Sequence, residues 1–341
     1  MPFRDEAQFV QWLRARWPER APGFDLGIGD DAAVVSVARG HDLILTTDLS
    51  LEGIHFRSDL HPPRAIGYRA LARAISDIAA MGARPRFALI SLALARHTKR
   101  AWVSAFYDGL AGLARRLGVA LIGGDTAIVE ERTMADFVAV GDVERGRALR
   151  RAGARAGDRV YVSGRLGLAA LGLEMLKSGA LGIRNVRRAG KRTARNERAA
   201  LMAHLYPEPR CGVGMYLAKC RLASAAIDVS DGFARDLGRL CEASSCGAVV
   251  RENRLPLAEV TAGGKRELDP LELGLHGGED YELIFTVPRS RVARLPAAVE
   301  GVPVREVGEI RRKRGLTLVR ADKQETPLEA RGYDHFERLR A

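Results

Sequence analysis

The stretch 43-LILTTD-48 is an apolar run that ends in two threonines and an aspartate. The pattern predicts a buried strand over Leu43 to Thr47, with Asp48 at its carboxyl end, where open α/β sheets commonly place ligands. The stretch 225-AAIDVSDG-232 repeats this order, with Asp228 directly after the apolar residues. An apolar strand that leads into an Asp-containing turn therefore occurs in both halves of the chain. This echo favours two α/β domains of related shape.

The segments around these runs alternate between strand and helix patterns. Helical spacing predicts helices over 64–81 and 98–117 in the first half and over 233–244 in the second. A chain of 341 residues also exceeds one ordinary domain. We therefore expect an N-terminal domain over residues 1–150 and a C-terminal α/β domain over residues 151–341, with the boundary in a basic, Gly-rich stretch.

The chain carries an excess of basic residues, with a formal net charge of +12. Such a balance favours nucleic acids or small anionic ligands as partners on electrostatic grounds. The densest basic run, residues 184–198, has no helix-turn-helix, RNP or zinc-finger pattern beside it. A solvated loop or helix face explains this run without a partner, so we expect no nucleic-acid binding.

The sequence offers no signal for export or membrane insertion. The start, MPFRDEAQFVQWL, carries charges where a signal peptide needs an apolar stretch, and no window approaches about eighteen consecutive apolar residues. The cysteines form no C-x-x-C pair, which argues against zinc clips and a secreted disulfide framework. We expect a cytoplasmic protein with reduced cysteines and no membrane partner. The cysteines are Cys211, Cys220, Cys241 and Cys246.

Acidic residues recur beside Gly, Ser and Thr in six short motifs. Several carboxylates in one cleft repel one another unless cations lie between them, and hard oxygen ligands suit Mg²⁺ better than zinc. Magnesium can bridge such carboxylates to the phosphates of a nucleotide, and a neighbouring Gly lets backbone amides approach those phosphates. The set therefore indicates phosphate handling. The motifs are GIGDDAAVV (27–35), TTDLSLEGIHF (46–56), AISDIAAMGARP (74–85), LIGGDTA (121–127), IDVSDG (227–232) and HGGEDYEL (276–283).

No other nucleotide or nucleophile signature accompanies these motifs. The chain lacks a Walker G-x-x-x-x-G-K-[ST] loop and a Rossmann G-x-G-x-x-G turn. It also has no convincing Ser-His-Asp or Cys-His arrangement. We therefore expect no covalent nucleophile.

Several of the acidic residues have an ordinary structural explanation. Asp77 follows Arg73 by four residues, and Asp231 precedes Arg235 by four, so both carboxylates suit helix-surface ion pairs. Asp228 is harder to explain in this way. Its apolar strand favours a cation or a hydrogen-bond cluster near the carboxylate.

Turn-forming or packing roles are the alternatives for further motif residues. Asp30 and Asp31 could cap a turn, as could Asp125 after two glycines. Glu279 also follows two glycines and could be a turn carboxylate. His55 could be a packed ring rather than a metal ligand or a base.

Taken together and in this order, the motifs resemble the thiamine-monophosphate kinase family, within the superfamily of aminoimidazole ribonucleotide synthetase-like ATP-binding proteins. The resemblance spans Gly27 to Phe336 and includes the terminal GYDHF (332–336). It implies two mixed α/β (α+β) domains, with the N-terminal domains of two subunits contributing strands to a dimeric β-barrel. A homodimer is therefore implied. PEPR (207–210) is also similar to the family, with a Pro-rigid loop and an exposed Arg as the alternative.

The resemblance implies transfer of the γ-phosphoryl group of ATP directly to the phosphate of thiamine monophosphate. The products are thiamine diphosphate and ADP, which makes this the last step of thiamine diphosphate biosynthesis. Several Mg²⁺ ions are implied as cofactors, with ATP as co-substrate. An attacking phosphate oxygen is already anionic, so it needs positioning and charge neutralisation more than a general base.

The resemblance also implies three sets of ligand-binding residues. The implied metal ligands are Asp30, Thr46, Thr47, Asp48, Asp77, Asp125, Asp228 and Asp231. The implied ATP contacts are Tyr107, Gly124, Asp125, Arg151 and Ser230, with Arg150 as the alternative to Arg151. The implied contacts of the thiamine substrate are His55, Glu279 and Tyr333, the last standing where Trp is common in relatives.

Two other kinds of function remain as alternatives. Another ATP-dependent enzyme of the same superfamily could act on a different small acceptor. Selenophosphate-synthetase-like and hydrogenase-maturation-like proteins are expected to carry a reactive Cys near one terminus, whereas the first Cys here is Cys211 and the chain finishes YDHFERLRA. A binding module, either a nucleotide sensor or a nucleic-acid-binding protein, is the second alternative. The intact aspartates argue against a sensor, and a steep salt dependence of binding would indicate nucleic acid.

Overall fold

The computed structural model of the protein describes residues 6–16, 23–26, 28, 32–178, 191–260 and 268–333. The chain divides into two compact units. Unit 1 consists of Met1–Ile78 and Ala83–Ala148, and unit 2 consists of Ala79–Gly82 and Leu149–Ala341.

The elements alternate between helices and strands along the chain. Up to residue 144 they are α1 (Glu6–Arg16), β1 (Phe24–Leu26), β2 (Val34–Val35), β3 (His41–Leu51), α2 (Pro63–Ala80), β4 (Arg84–Ala95), α3 (Arg100–Leu117), β5 (Ala120–Val129) and β6 (Met134–Glu144). Beyond it they are β7 (Arg159–Ser163), α4 (Leu168–Lys177), α5 (Lys191–Leu205), α6 (Cys211–Lys219), β8 (Ala225–Asp228), α7 (Phe233–Ala243), β9 (Gly247–Arg251), α8 (Pro270–His276), β10 (Leu283–Val287), β11 (Ala298–Val299), β12 (Val302–Arg311), β13 (Gly315–Val319) and β14 (Glu325–Pro327).

Unit 1 contains a four-stranded sheet in the order β3-β6-β4-β5. Strands β4 and β5 are parallel, and β6 is antiparallel to both β3 and β4. Helix α3 connects the parallel pair and ends at Gly118, whose left-handed backbone (φ 68°) returns its N–H to the last turn of the helix. The helix presents large side chains such as Phe106 and Leu110 to the interior, where both are buried. Among the described strands, this order places β3 at one edge of the sheet.

Strand β3 is longer than the sequence pattern predicted. It continues to Leu51, so Asp48 lies inside the strand, opposite Phe137 of β6. Asp125 likewise lies inside β5, opposite Ser91, rather than at a turn. The predicted strand end at Asp48 is wrong because a change from apolar to polar side chains alters which groups need solvent or a partner, and it does not interrupt backbone pairing.

Unit 2 is built on an eight-stranded sheet whose main path is β14-β13-β9-β12-β7-β10-β8, with β11 paired to β12. Strands β13 and β9 are parallel, and β10 is antiparallel to both β7 and β8. Helix α7 places Phe233, Leu237 and Leu240 in the same buried cluster as Ile227 and Ile284 of the sheet. Strand β8 ends at Asp228, as the sequence pattern predicted. The mixed α/β class predicted for the chain is therefore confirmed in each unit.

Two further expectations concern the whole of the described chain. Among its helices, none combines the length and apolar character needed to cross a bilayer. No disulfide joins the cysteines in the part of the chain that the structure describes. Burial raises the pKa of the Cys241 thiol, which disfavours the reactive thiolate at that position.

Candidate active site

Strand β3 and helix α2 bring together three residues predicted to bind metal: Thr46, Asp48 and Asp77. Thr46 Oγ1 donates a hydrogen bond to Asp77 Oδ2 at 2.6 Å. Two residues further along the same strand face, Asp48 accepts two hydrogen bonds from Arg73 of α2, at 2.8 Å from Nη2 and 3.3 Å from Nε. The helix therefore contributes a carboxylate and a guanidinium to one cluster of oxygen ligands.

Asp48 occupies an electrostatically unfavourable position. Burial raises its pKa, the Arg73 guanidinium lowers it, and the charges of Asp77 and Asp136 raise it again, so the pKa lies above its ordinary value. Arg73 alone therefore compensates the carboxylate incompletely. A cation at these oxygens would complete the compensation, and hydroxyl and carboxylate oxygens are the hard ligands that Mg²⁺ takes. The residues present fit the metal that the resemblance implies.

A complete metal cage of side chains is not needed for this ion. In the described chain, no group of three or more His, Cys, Asp or Glu side chains has the arrangement of a metal site. Mg²⁺ commonly takes one or two protein carboxylates and fills its remaining positions with water and substrate phosphates. Asp30, another predicted ligand, lies outside the described residues.

Thr47 faces the opposite side of the sheet from Thr46 and Asp48. Its Oγ1 donates to both carboxylate oxygens of Asp136 on β6, at 2.8 Å and 3.0 Å. Sequence reasoning missed Asp136, whose only signal was the alternation of polar and apolar residues along β6. The side chains of Thr46 and Thr47, both predicted metal ligands, therefore lie on different faces of β3.

A cavity of about 430 Å³ in unit 1 is lined by three predicted ATP contacts, Tyr107, Gly124 and Asp125. Tyr107 is 1% exposed, and burial raises the pKa of its hydroxyl. Its ring packs against Trp12 of α1 at a centroid distance of 5.4 Å. Gly124 tolerates no side chain, because a Cβ there would lie 1.9 Å from the carbonyl oxygen of Ile90. The close approach of β5 to β4 thus requires this glycine.

His55 lies in the turn that follows β3. The backbone N–H of Leu51 donates to His55 Nδ1 at 3.0 Å, and the His55 N–H donates to the Leu51 carbonyl at 2.9 Å. The accepted hydrogen bond places the proton of a neutral ring on Nε2. The turn therefore fixes the orientation of the imidazole.

In unit 2, the VSDG turn after β8 lies beside the GGED turn before β10. The Glu279 N–H donates to the Ser230 carbonyl at 2.8 Å, and the Tyr333 N–H donates to the Asp231 carbonyl at 3.0 Å. Two predicted substrate contacts are thereby tied to a predicted ATP contact and a predicted metal ligand. Asp228, two residues before Ser230, is 3% exposed.

Asp231 forms an ion pair with an arginine that the sequence did not suggest. Asp231 Oδ2 accepts from Arg239 at 2.7 Å, and the Arg235 guanidinium donates to the Gly332 carbonyl at 3.4 Å. Asp231 precedes the first residue of α7, so its spacing of four residues from Arg235 is not a spacing along one helical face.

Asp236, which sequence reasoning missed, stabilises the VSDG turn by hydrogen bonds to its backbone. Its Oδ2 accepts the N–H groups of Ser230 and Asp231, both at 3.0 Å. Burial is the largest influence on this carboxyl and raises its pKa to about 6, against the lowering effect of the same N–H donors. The available signal in the sequence was an acidic residue in the first turn of a predicted helix, five residues after Asp231.

Glu279 has a left-handed backbone, with φ at 70°. Its Oε2 lies 3.6 Å from Nδ1 of His204, a residue of α5 whose side chain is 1% exposed. Non-glycine residues rarely adopt this conformation unless their surroundings impose it, and such positions cluster at ligand sites. The geometry is consistent with a predicted ligand contact at Glu279.

Asp280 is a buried carboxyl that links the GGED turn to the start of α4. Its oxygens accept the N–H groups of Gly167 at 2.6 Å and Ala169 at 3.0 Å. Burial outweighs these donors and raises the pKa of Asp280 to about 7. The neutral form is therefore favoured more strongly in the folded protein than in the unfolded chain.

This raised pKa predicts that stability falls as pH rises. The contribution of Asp280 is fully present below the unfolded pKa near 4 and is lost as pH passes the folded pKa of about 7. We expect a melting temperature a few degrees lower at pH 8 than at pH 5, and a smaller difference in Asp280→Asn. Thermal melts of both proteins and of Asp322→Asn, an exposed control, measure it. An unchanged pH slope in Asp280→Asn would contradict the assignment.

The arginine candidates for ATP binding are both exposed. The Arg150 carbonyl accepts from the Ala226 N–H, and the Arg151 carbonyl accepts from Ser244 Oγ, each at 2.9 Å. These backbone contacts fix the segment without using either guanidinium, so the choice between the two stays open. Of the basic run 184–198, residues 184–190 lie outside the described residues and the remainder belongs to α5.

Arg210 of the PEPR motif is not an exposed loop residue. Its guanidinium forms a bidentate ion pair with Glu282. Only 20% of the Arg210 side chain and 4% of the Glu282 side chain are exposed. The alternative of a solvated arginine is therefore wrong. A separation of 72 residues hides this pairing from any local pattern.

Comparisons with known proteins agree with this architecture. Models of the N-terminal and C-terminal domains of AIR synthase related proteins match residues 29–143 and 155–320. The thiamine-monophosphate kinase of Bacillus subtilis (strain 168) is 35% identical over 315 residues, which is 92% of this chain and 94% of that protein.

Solved structures give the same result. The crystal structure of thiamine-monophosphate kinase from Stenotrophomonas maltophilia K279a superposes with a TM-score of 0.78 at 35% identity, covering 91% of this chain and 95% of that one. A structure described as AaThiL complexed with AMPPCP and TMP has a TM-score of 0.73 at 28% identity, covering 97% of each chain. With this identity over nearly the full length of its relatives, the chain belongs to the thiamine-monophosphate kinase family.

Proposed function

We propose that the protein transfers the γ-phosphoryl group of ATP to the phosphate of thiamine monophosphate, giving thiamine diphosphate and ADP. The observation that carries the proposal is the near full-length similarity to kinases of that name. A related structure with an ATP analogue and TMP supports the same pair of substrates. The acidic motifs suit this reaction, because carboxylates can hold the metal ions that neutralise phosphate charge. The reaction needs no covalent nucleophile, since the attacking phosphate oxygen is already anionic and has only to be positioned.

In this proposal, residues of unit 1 bind the metal ion that neutralises the phosphate charge. Thr46, Asp48 and Asp77 would hold Mg²⁺, which when bound neutralises the non-bridging phosphate oxygens. The Thr46 hydroxyl orients the Asp77 carboxylate, and Arg73 orients the Asp48 carboxylate and lowers its pKa against the larger effect of burial. The other proposed metal ligands are Asp30, Thr47 and Asp125 in unit 1 and Asp228 and Asp231 in unit 2.

Nucleotide and substrate contacts are proposed on the same basis. In unit 1, Tyr107 and Gly124 line the cavity that we assign to ATP, together with Asp125. In unit 2, Ser230 and Arg151 are the proposed ATP contacts. The proposed thiamine contacts are His55, Glu279 and Tyr333; the first is held by its turn and the last two are tied to the VSDG turn.

The reaction is tested by product analysis. Purified protein is incubated with ATP, Mg²⁺ and thiamine monophosphate, with free thiamine and aminoimidazole ribonucleotide precursors in parallel, and ADP and thiamine diphosphate are quantified by chromatography. We expect equal amounts of the two products with thiamine monophosphate alone, and their loss with EDTA. ADP release with another acceptor only would replace the substrate, and nucleotide binding without ADP release would favour a binding module.

A homodimer is proposed from the open face of β3. This edge strand exposes three leucines on one face, Leu43 (44%), Leu45 (64%) and Leu49 (46%). Exposed apolar side chains on one face mark association surfaces, and an edge strand has backbone groups to offer a partner. We also infer that the reaction takes place in the cytoplasm, because the sequence lacks the disulfide framework that is typical of secreted proteins.

Leu45→Glu is expected to convert the dimer to a monomer, because it places a charge at the centre of the apolar face. Light scattering should change from twice the 37.1 kDa mass of one chain to that mass. Met202→Glu is the matched control, since Met202 is 46% exposed on α5 of unit 2. A dimer that survives Leu45→Glu but not the control would place the interface elsewhere.

A further inference from the structure

The ion pair between Arg210 and Glu282 is unusually well defined. Arg210 Nε donates to Glu282 Oε2 at 2.6 Å, and Nη2 donates to Oε1. Two parallel charge-assisted hydrogen bonds fix the carboxylate in direction as well as in distance. Because Glu282 is almost fully buried, it cannot exchange this partner for water without a large cost.

Residues at the end of β7 also contact the Glu282 carboxylate. Ser163 Oγ donates to Glu282 Oε2 at 2.6 Å and accepts from the Leu283 N–H at 2.8 Å. A Cβ at Gly164 would lie 1.9 Å from Glu282 Oε1, so the carboxylate fills the space that a side chain would take. Glu282 is therefore held from both β7 and the segment before α6.

Backbone hydrogen bonds connect the segment around Glu282 to the VSDG turn of the candidate active site. Its carbonyl accepts from the Val229 N–H, and the Tyr281 N–H donates to the Val229 carbonyl, both at 2.8 Å. Glu279 and Tyr281 both have left-handed backbones, with φ at 70° and 50°. Such conformations persist in non-glycine residues only where the surroundings enforce them.

We propose that Arg210 is a positioning residue which, through Glu282, holds Glu279 and Tyr281 in their left-handed backbone conformations and so fixes Glu279 relative to Ser230. This inference rests on the proposed function, in which Glu279 contacts the thiamine substrate and Ser230 contacts ATP. Arg210 acts through Glu282 and makes no contact with substrate. Arg210, which lies outside the acidic motifs, thus determines the placement of the acceptor.

Arg210→Lys tests the proposal kinetically, because it keeps the charge and removes the two-pronged geometry. We expect kcat/KM for thiamine monophosphate to fall about tenfold, and Arg291→Lys, a matched change at an arginine of unit 2 whose hydrogen bond to the Arg221 carbonyl is exposed, to leave it unchanged. In a Glu279→Gln background, Arg210→Lys should cause little further loss, since both changes act through one contact. A full, additive loss in that background would overturn the proposal.

Hydrogen exchange gives a readout that does not depend on the substrate. The N–H groups of Glu279 and Tyr281 should exchange at least about tenfold faster in Arg210→Lys, while the Ile310 N–H, bonded to the Asp158 carbonyl, keeps its rate. Ser163→Ala should have the same effect and serves if the arginine variant does not fold. Unchanged exchange at 279 and 281 would overturn the proposal. Faster exchange in a protein inactive on thiamine monophosphate would instead refute the proposed function alone.

Discussion

Asp48→Asn is expected to lower kcat/KM for thiamine monophosphate by about a thousandfold or more while leaving the fold intact. The substitution removes the charge but keeps the size and one acceptor oxygen for Arg73. Because burial disfavours the charged carboxylate, a neutral side chain at this position costs little folding free energy. The loss of activity should therefore come from the missing charge and not from unfolding.

The measurement pairs kinetics with metal-dependent stability. In the wild type, Mg²⁺ with ATP should raise the melting temperature, because a ligand that binds only the folded state stabilises it. Asp48→Asn should lose most of this rise, whereas Asp322→Asn, an exposed turn residue whose Oδ1 accepts from the Gln324 N–H, should keep it. An Asp48→Asn enzyme with wild-type activity and wild-type response to Mg²⁺ would exclude Asp48 as a ligand.

The sequence predicts candidate ligand residues, but it does not predict the contacts that surround them. Asp228 was placed correctly at a strand end, because an apolar run leads directly into it. All four residues of this strand are buried in the structure. Asp48 was assigned to the right strand but to the wrong position within it. The length of a strand depends on its neighbour, and β6 pairs with β3 along its whole length.

Contacts across the sheet and between distant segments had no local signal. The Thr47–Asp136 hydrogen bonds depend on the register of β3 against β6, which no single segment specifies. The Arg210–Glu282 pair depends on the chain path of unit 2. Both contacts are fixed by tertiary structure, and periodicity along one segment cannot reveal them.

Glycines illustrate the same limit, because Gly109 and Gly112 lie one turn apart in α3 and look alike in the sequence. In the structure, a Cβ at Gly109 would lie 1.8 Å from the carbonyl oxygen of Arg64, whereas a Cβ at Gly112 would meet nothing within 4 Å. A Cβ at Gly67 of α2 would likewise lie 2.0 Å from the Phe106 carbonyl oxygen. The two helices therefore approach each other backbone to backbone at this point.

Gly109→Ala is accordingly expected to destabilise the protein by about 3 kcal/mol or more, since the added methyl must push α2 and α3 apart. Gly112→Ala is the matched control and should stabilise it by up to about 1 kcal/mol, because alanine is the better helix former. Urea unfolding of both variants measures the difference. Helix α2 carries Arg73 and Asp77, so Gly109→Ala should also weaken the response to Mg²⁺ with ATP at temperatures where the variant is folded. Equal stability of the two variants would mean that the helices do not make this close approach.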